Sequence, residues 1–325
     1  MKIDYCISEQ GMTGKFLVNE HPHMRVLETQ IYTWDAFALP IDKVLTEDTT
    51  YEGNVVVALP KGDMEKQIIH WLVKTHFNAI QEIKKKFSGK VLFYQDGEVG
   101  YWNQHDTVLQ IWWYNNVSAC DKILCPNLSD VNYYKGMFKN IPVSVVRSIM
   151  LPQEKKNLKQ ENKAIISGPF TREYNGLQQT IIAKEFDCGI YIPPMGKSRM
   201  PKDSWETAPA FGVNYLEYVD WKTWIQNLQS YKYAVNLPGT SASASFSLNC
   251  AYYGIPCIGE IKADTQRLCY PELSVQTYDI QSAIQLARKL KEDKEFYIKC
   301  SQTAKRVFKE EFSQKKFLEV VKDEY

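Results

Sequence analysis

Short apolar runs rich in β-branched residues alternate along this chain with stretches of helical period. Residues 2–7 read as a first strand. Residues 54–59, Asn-Val-Val-Val-Ala-Leu, read as a stronger second one, ended by Pro60-Lys61-Gly62. Over residues 64–87, Ile68, Ile69, Leu72, Ala79, Ile80 and Ile83 fall on one side of a single predicted helix. Lys84, Lys85 and Lys86 close its last turn, where cations meet the negative end of the helix dipole. Then come a strand at 90–94, a helix at 109–117, a strand at 122–125, a short helix at 130–138 and a strand at 142–146. Alternation of this kind predicts a parallel, doubly wound sheet.

A polar and charged stretch, Pro152-Gln-Glu-Lys-Lys-Asn-Leu-Lys-Gln-Glu-Asn-Lys163, interrupts the series. A second series follows, with strands at 164–167, 189–192, 214–218, 233–237 and 256–259 and helices at 177–185, 221–228 and 245–253. Two amphipathic helices, 281–290 and 294–308, come last. The predicted organisation is an α/β domain over 1–150, a linker over 151–163 and a second α/β domain over 164–325, whose last helix can return to the first domain. A crevice at the carboxyl ends of parallel strands is the expected ligand site.

Composition narrows this only a little. The 325 residues carry a formal net charge of +1, which rules out a global basic field for nucleic acid. The eight cysteines form no Cys-x-x-Cys pair and mostly sit in apolar contexts, so they read as reduced, buried thiols. The opening residues lack the apolar stretch of a signal peptide, and no apolar run is long enough to span a bilayer. A cytoplasmic protein is expected. No Gly-x-Gly-x-x-Gly follows the first strand, and no P-loop motif is present, which counts against dinucleotide enzymes and P-loop NTPases.

The segment with the most chemistry is Leu237-Pro-Gly-Thr240-Ser241-Ala-Ser243-Ala-Ser245-Phe-Ser-Leu-Asn249-Cys-Ala-Tyr-Tyr-Gly254-Ile-Pro256-Cys-Ile-Gly259. A strand ends, small residues turn and a helix begins. Small residues let backbone N–H groups reach an anion, and the helix start adds positive partial charge. The hydroxyls of Thr240, Ser241, Ser243 and Ser245 supply donors, an arrangement that suits a diphosphate; a capped turn with no ligand is the plain alternative.

This segment resembles the C-terminal-domain signature of the GT-B nucleotide-sugar glycosyltransferases, with Gly254 and Pro256 matching its Gly-x-Pro strand. Ser167-Gly-Pro-Phe-Thr-Arg172 resembles the loop in which that family brings basic side chains to the diphosphate. Tyr215-Leu-Glu-Tyr218 resembles its base-binding strand. The resemblance implies an α/β GT-B fold of two Rossmann-like domains facing across a cleft. It implies a metal-independent hexosyl- or pentosyltransferase that needs no cofactor beyond a nucleotide sugar, UDP-sugar first. Three positions depart from the pattern. Ser241 and Asn249 stand where many retaining members carry a Glu pair, and Asn175 stands where a basic residue is usual; Lys197 and Arg199 can supply charge from another loop. Donor binding is expected at Arg172, Lys197, Tyr218, Thr240, Ser241, Ser243, Ser245 and Asn249. A non-catalytic binding protein and an epimerase on the same fold are the alternatives.

The N-terminal half bears a second resemblance, to the DNA glucosyltransferases of T-even phages. Lys2-Ile-Asp-Tyr-Cys-Ile-Ser-Glu-Gln-Gly11-Met-Thr13-Gly14 is similar to their opening strand and glycine loop, which adds Gly11, Thr13 and Gly14 to the donor site. Lys90-Val-Leu-Phe-Tyr-Gln-Asp96-Gly-Glu98 is similar to their strand ending in acidic residues. That implies a 5-hydroxymethylated pyrimidine in DNA as acceptor and the host cytoplasm as location; a glycan or lipid-linked sugar is the rival. Asp96 is the leading catalytic residue, expected just past a strand end to take a proton from the acceptor hydroxyl; Glu98 and His105 compete for the role, and an ordinary Asp-Gly turn is the plain alternative. His105 and Trp112 are expected to meet the acceptor. Lys84, Lys85, Lys86 and Lys90 near Trp102, Trp112 and Trp113 suggest a grip on a nucleic-acid strand, although residues 84–86 alone read as a helix end and Trp112-Trp113 as a core edge. A monomer or weak homodimer is expected.

Overall fold

The computed structural model describes residues 2–8, 34, 36–95, 99–150, 156, 158–171, 174–193, 206–239 and 245–323. Contacts cluster into two compact units. One runs to Arg147 and takes back the chain from Phe317; the other spans Ser148–Lys316.

The first unit is built on strands β1 (Tyr5–Ser8), β2 (Phe37–Pro40), β3 (Val55–Val57), β4 (Val91–Tyr94), β5 (Lys122–Cys125) and β6 (Val143–Val145). They pair in parallel in the order β2-β1-β3-β4-β5-β6. The described helices are α1 (Ile41–Thr46), α2 (Gln67–Thr75), α3 (Ala79–Lys86), α4 (Thr107–Ser118) and α5 (Leu128–Met137). Central strands such as β3 and β4 are apolar throughout because both faces are covered. β2 carries Pro40, paired with Ser8, at the sheet edge, where a missing N–H costs no ladder bond.

The single helix expected over 64–87 is two helices. His76, Phe77 and Asn78 break it. The carbonyls exposed by the break are met from α4: Trp112 Nε1 donates to the His76 oxygen at 3.4 Å and Asn116 Nδ2 to the Phe77 oxygen at 3.0 Å. Asn116 Oδ1 also accepts the Ile80 N–H at 2.9 Å. His76 Nδ1 lies 2.6 Å from Glu82 Oε2. A periodic apolar stripe continues across the break, so the pattern alone hides it.

The second unit carries β7 (Lys163–Ile166), β8 (Gly189–Ile192), β9 (Val213–Tyr215), β10 (Tyr233–Asn236), β11 (Cys257–Glu260) and β12 (Ser274–Val275). All pair in parallel, in the order β12-β11-β10-β7-β8-β9. Its described helices are α6 (Gly176–Ala183), α7 (Trp221–Leu228), α8 (Ser245–Tyr253), α9 (Asp264–Cys269), α10 (Ile280–Glu292) and α11 (Lys294–Glu311). A last helix, α12 (Gln314–Asp323), brings Phe317 against Trp34, ring centres 4.8 Å apart.

The end of α8 shows why Gly-Ile-Pro follows it. Gly254 is left-handed at φ 70°. Its N–H reaches the Ala251 carbonyl and the Ile255 N–H the Cys250 carbonyl, both at 3.0 Å. This pair of bonds closes a helix on a glycine, and Pro256 then cannot extend it.

Seven cysteines are buried and Cys188 is half-buried. Burial pushes the Cys6, Cys120 and Cys269 thiols up to about 12. A raised thiol value keeps the unreactive protonated form at pH 8. Ellman's reagent is therefore expected to titrate Cys188 first and slowly in the folded protein, and all eight thiols only after unfolding; rapid titration of several thiols in the native state would contradict this packing.

Candidate active site

In the second unit, chain order reverses at the centre of the sheet. β7 is followed outward by β8 and β9, whereas β10 lies on its other side and leads to β11 and β12. The carboxyl ends of β7 and β10 therefore flank a crevice at a topological switch point, the default ligand site of such a sheet. α6 follows β7 and α8 follows β10, so two helix amino ends begin beside it.

The β7 turn is clamped by one side chain. Gln179 Oε1 accepts from Ser167 N at 3.1 Å and Ser167 Oγ at 3.0 Å, while its Nε2 donates to the Tyr174 carbonyl. Asn175 occupies the left-handed region at φ 57°, which asparagine tolerates better than a long basic residue. Its Nδ2 donates to Gln178 Oε1 at 2.6 Å and to the Leu237 carbonyl at 3.4 Å, joining the ends of β7 and β10. This accounts for the departure from a basic residue at 175.

Under the β10 turn lies a buried polar chain. Asn236 Nδ2 donates to Ser247 Oγ at 2.8 Å, and Ser247 Oγ donates to Gln266 Oε1 at 2.6 Å. Gln266 Nε2 donates to the carbonyls of Cys257 at 2.8 Å and Leu273 at 3.4 Å. Gly259 is required here, since a Cβ on it would lie 2.4 Å from Gln266 Oε1 and 3.0 Å from the Asn236 carbonyl oxygen.

Sequence reading missed Glu260. It is buried at the end of β11; Oε1 accepts the Lys262 N–H at 3.1 Å and Oε2 meets Thr277 Oγ1. That hydroxyl also lies 3.2 Å from the Pro238 carbonyl oxygen, and Gln178 Nε2 donates to the Thr277 carbonyl. A carboxylate thus ties β11, the β10 turn and α6 together. The available signal was an acid closing an apolar strand, Pro256-Cys-Ile-Gly-Glu260.

Of the expected donor residues, Ser245 opens α8, Asn249 lies half-buried one turn further on, and Tyr218 follows β9 with 53% of its surface exposed. Among the described residues Asn249 makes no hydrogen bond through its side chain, so its amide is available to a ligand. Arg172, Lys197, Thr240, Ser241 and Ser243 lie outside the described residues, as do Gly11, Thr13, Gly14, Asp96 and Glu98. Each flank is placed nevertheless. Gly11, Thr13 and Gly14 follow β1, which with β3 forms the switch point of the first sheet; Asp96 and Glu98 follow β4.

His105 ends a short 3-10 turn, Tyr101–Gln104, with its ring 4.7 Å from Tyr101 and 5.5 Å from Trp102. Its Nε2 is buried with no partner among the described residues. Trp112 requires a correction. It is 0% exposed and bonded to the helix break, so it has no surface to offer an acceptor. Trp102 and Trp113 are buried with it, in contact at ring distances of 5.8 and 6.1 Å from Trp102. Of Lys84, Lys85 and Lys86, two are likewise engaged, and Lys85 is exposed. Lys84 Nζ lies 2.6 Å from Asp121 Oδ1, and Lys86 Nζ donates to the carbonyls of Leu45 and Glu47. The basic-aromatic grip suggested by their sequence spacing does not form, because the rings face the core. The outward face of α4 instead exposes Val108 (50%), Ile111 (48%) and Tyr114 (46%).

Among the described residues no cluster of three or more His, Cys, Asp or Glu side chains forms a metal-ligand set, and no helix is long and apolar enough to cross a membrane.

No protein-family model matches the chain, and no curated protein matches it in sequence. Solved structures match it in fold. The sucrose-phosphate synthase of Thermosynechococcus elongatus superposes with a TM-score of 0.67 at 11% identity, over 100% of this chain and 98% of its own. The pneumococcal O-GlcNAc transferase GtfA in complex with UDP and GlcNAc gives 0.58 at 11% identity, over 83% of this chain and 56% of its own. The E. coli trehalose-6-phosphate protein bound with UDP-2-fluoro glucose gives 0.61 at 10% identity, over 87% and 75%. The chain has the GT-B fold of these proteins.

Proposed function

We propose that the protein is a glycosyltransferase that takes a sugar from a UDP-sugar donor and passes it to an acceptor hydroxyl. The observation that carries this reading is the β7/β10 switch point, with two helix amino ends beside it, in a fold whose solved examples include complexes with UDP and UDP-2-fluoro glucose. Backbone donors of the Thr240–Ser245 turn, the Ser241 and Ser243 hydroxyls and the Arg172 and Lys197 cations hold the diphosphate. Tyr218 meets the base, and Asn249 hydrogen-bonds the ribose in place of a carboxylate. Gly11, Thr13 and Gly14, which follow β1, contribute further donor contacts.

In the chemical step the acceptor oxygen bonds the anomeric carbon while the bond from that carbon to the diphosphate oxygen breaks. Asp96 takes the acceptor's proton, His105 orients the acceptor, and the charge released on the diphosphate is met by the helix amino ends and Arg172. With that charge balance the reaction is metal-independent, and EDTA is expected to leave the rate unchanged. Asp96→Asn is expected to lower kcat by about 10²–10⁴-fold with UDP binding intact; normal turnover in that variant would transfer the role to Glu98 or discard it.

For the acceptor, the apolar outer face of α4 and the buried tryptophans favour a glycan or lipid-linked sugar over a hydroxymethylated base in DNA. The direct experiment is UDP release and product mass analysis with UDP-glucose and UDP-GlcNAc against oligosaccharide, lipid-linked sugar and hydroxymethylated DNA. Transfer to a sugar-bearing acceptor supports the reading, and transfer to DNA alone would overturn its acceptor half. Ser241 and Asn249, in place of paired carboxylates, favour a second reading, a donor-binding protein without turnover. UDP-sugar binding with no UDP release under any acceptor is its signature.

A further inference from the structure

Beside α7 the second unit carries a groove of about 460 Å³ that adjoins the Tyr218 segment at one end and otherwise runs along residues given no donor role. Its volume falls within the range of about 300–1,000 Å³ typical of small-molecule sites. Leu216, Glu217 and Val219 line one end, just beyond the carboxyl end of β9. Lys163, which opens β7, and Tyr231, two residues ahead of β10, line the other. The groove therefore runs the length of the strands, about 13 Å for four residues, and its shape suits a chain-like ligand.

Its lining has two kinds of surface. Trp224 is half-buried, with its ring centre 6.5 Å from that of Tyr231, and Leu158 and Leu216 extend the apolar wall. Around it stand Glu217, Asn227 and Lys159, whose side chains make no hydrogen bond among the described residues. Lys163 is already engaged: its Nζ lies 3.1 Å from Glu161 Oε2 and sits over the rings of Tyr231 at 5.2 Å and Tyr191 at 5.6 Å. The four charged lining residues, Lys159 and Lys163 against Glu161 and Glu217, sum to zero. A polyphosphate, a nucleic acid or an anionic membrane finds no net attraction there.

An aromatic face flanked by a free amide and a free carboxylate, without net charge, matches a sugar ring, which presents apolar C–H faces and a rim of hydroxyls. We infer that this groove binds a neutral oligosaccharide and anchors the acceptor chain away from the transfer point. The inference rests on the glycosyltransferase reading and deepens it: the substrate is a glycan chain held by the second unit.

Saturation-transfer NMR with maltotriose, cellotriose and triacetylchitotriose tests it on the full chain. At least one trisaccharide is expected to bind, with affinity lowered about ten-fold or more in Trp224→Ala. Asn227→Ala, which removes a side chain that makes no hydrogen bond among the described residues, is expected to weaken binding as well. The UDP-induced thermal shift is expected to be unchanged in both variants. No saturation transfer to any of the three sugars, or undiminished transfer in both variants, overturns the groove assignment. Absence of the UDP shift in the wild-type chain overturns the donor reading instead, so the two failures are separable.

Discussion

Replacing Arg172 with alanine is expected to lower kcat by about 10²–10³-fold and to abolish the thermal shift produced by UDP. Arg172 follows Thr171 in the segment of chain between β7 and α6. The diphosphate is charged in the ground state and gains charge as the glycosidic bond breaks. A cation at that point therefore acts twice: it contributes to donor binding, and it contributes more in the transition state. Arg172→Lys keeps the charge but loses the planar fork, so it is expected to recover binding more fully than rate. Steady-state kinetics on both variants, with UDP shifts measured alongside, check this. Unchanged kinetics in Arg172→Ala would move the anion site away from the β7 turn.

The second large effect is on stability. Gln266→Ala is expected to destabilise the second unit by about 2–4 kcal/mol. Gln266 is 0% exposed, and its amide satisfies Ser247 and the carbonyls of Cys257 and Leu273. Truncation strands those groups out of reach of water, at about 1–3 kcal/mol for an unsatisfied buried group, and adds a cavity. For a unit of this size the melting temperature falls by on the order of 10 °C. Gln266→Glu preserves shape but places an acceptor where Nε2 donates, so it is expected to be no milder. The same network underlies the β10 turn, so loss of UDP affinity should accompany the loss of stability. A melting temperature within a degree or two of wild type would mean that the network is not closed as described.

Much of the fold is legible in the sequence because central parallel strands are apolar on both faces. Val55–Val57, Val91–Tyr94 and Tyr233–Asn236 were readable for that reason. Elements that depend on tertiary support were not. β2 ends in Pro40, which normally argues against a strand, and only its edge position permits it. β12 has two residues and exists only as an edge partner of β11. The break at His76 is satisfied by Trp112 and Asn116, some forty residues later, which no local pattern reveals.

The candidate site divides in the same way. Glycine and serine at the end of a strand mark a turn that can approach an anion, so the β10 turn stood out. Glu260 and Gln266 work through partners remote in sequence, Thr277 and Ser247, so their roles are not visible locally; the one cue is the acid that closes the apolar strand at Glu260. Trp112 was misread because ring chemistry alone does not say whether a helix turns that ring inward. α4 is apolar nearly all round, and it buries Leu109, Trp112 and Trp113 while leaving Ile111 and Tyr114 outside.

The central claim is that the β7/β10 switch point binds a nucleoside diphosphate. The most direct measurement is the melting temperature of the intact chain with UDP, GDP, ADP and CDP in turn. A ligand at about 100 times its Kd stabilises the native state by about 2.7 kcal/mol, so UDP is expected to raise the melting temperature by about 5–10 °C, with a smaller effect or none from the others. No shift with any of the four would contradict the donor site and leave the GT-B fold without its assigned ligand.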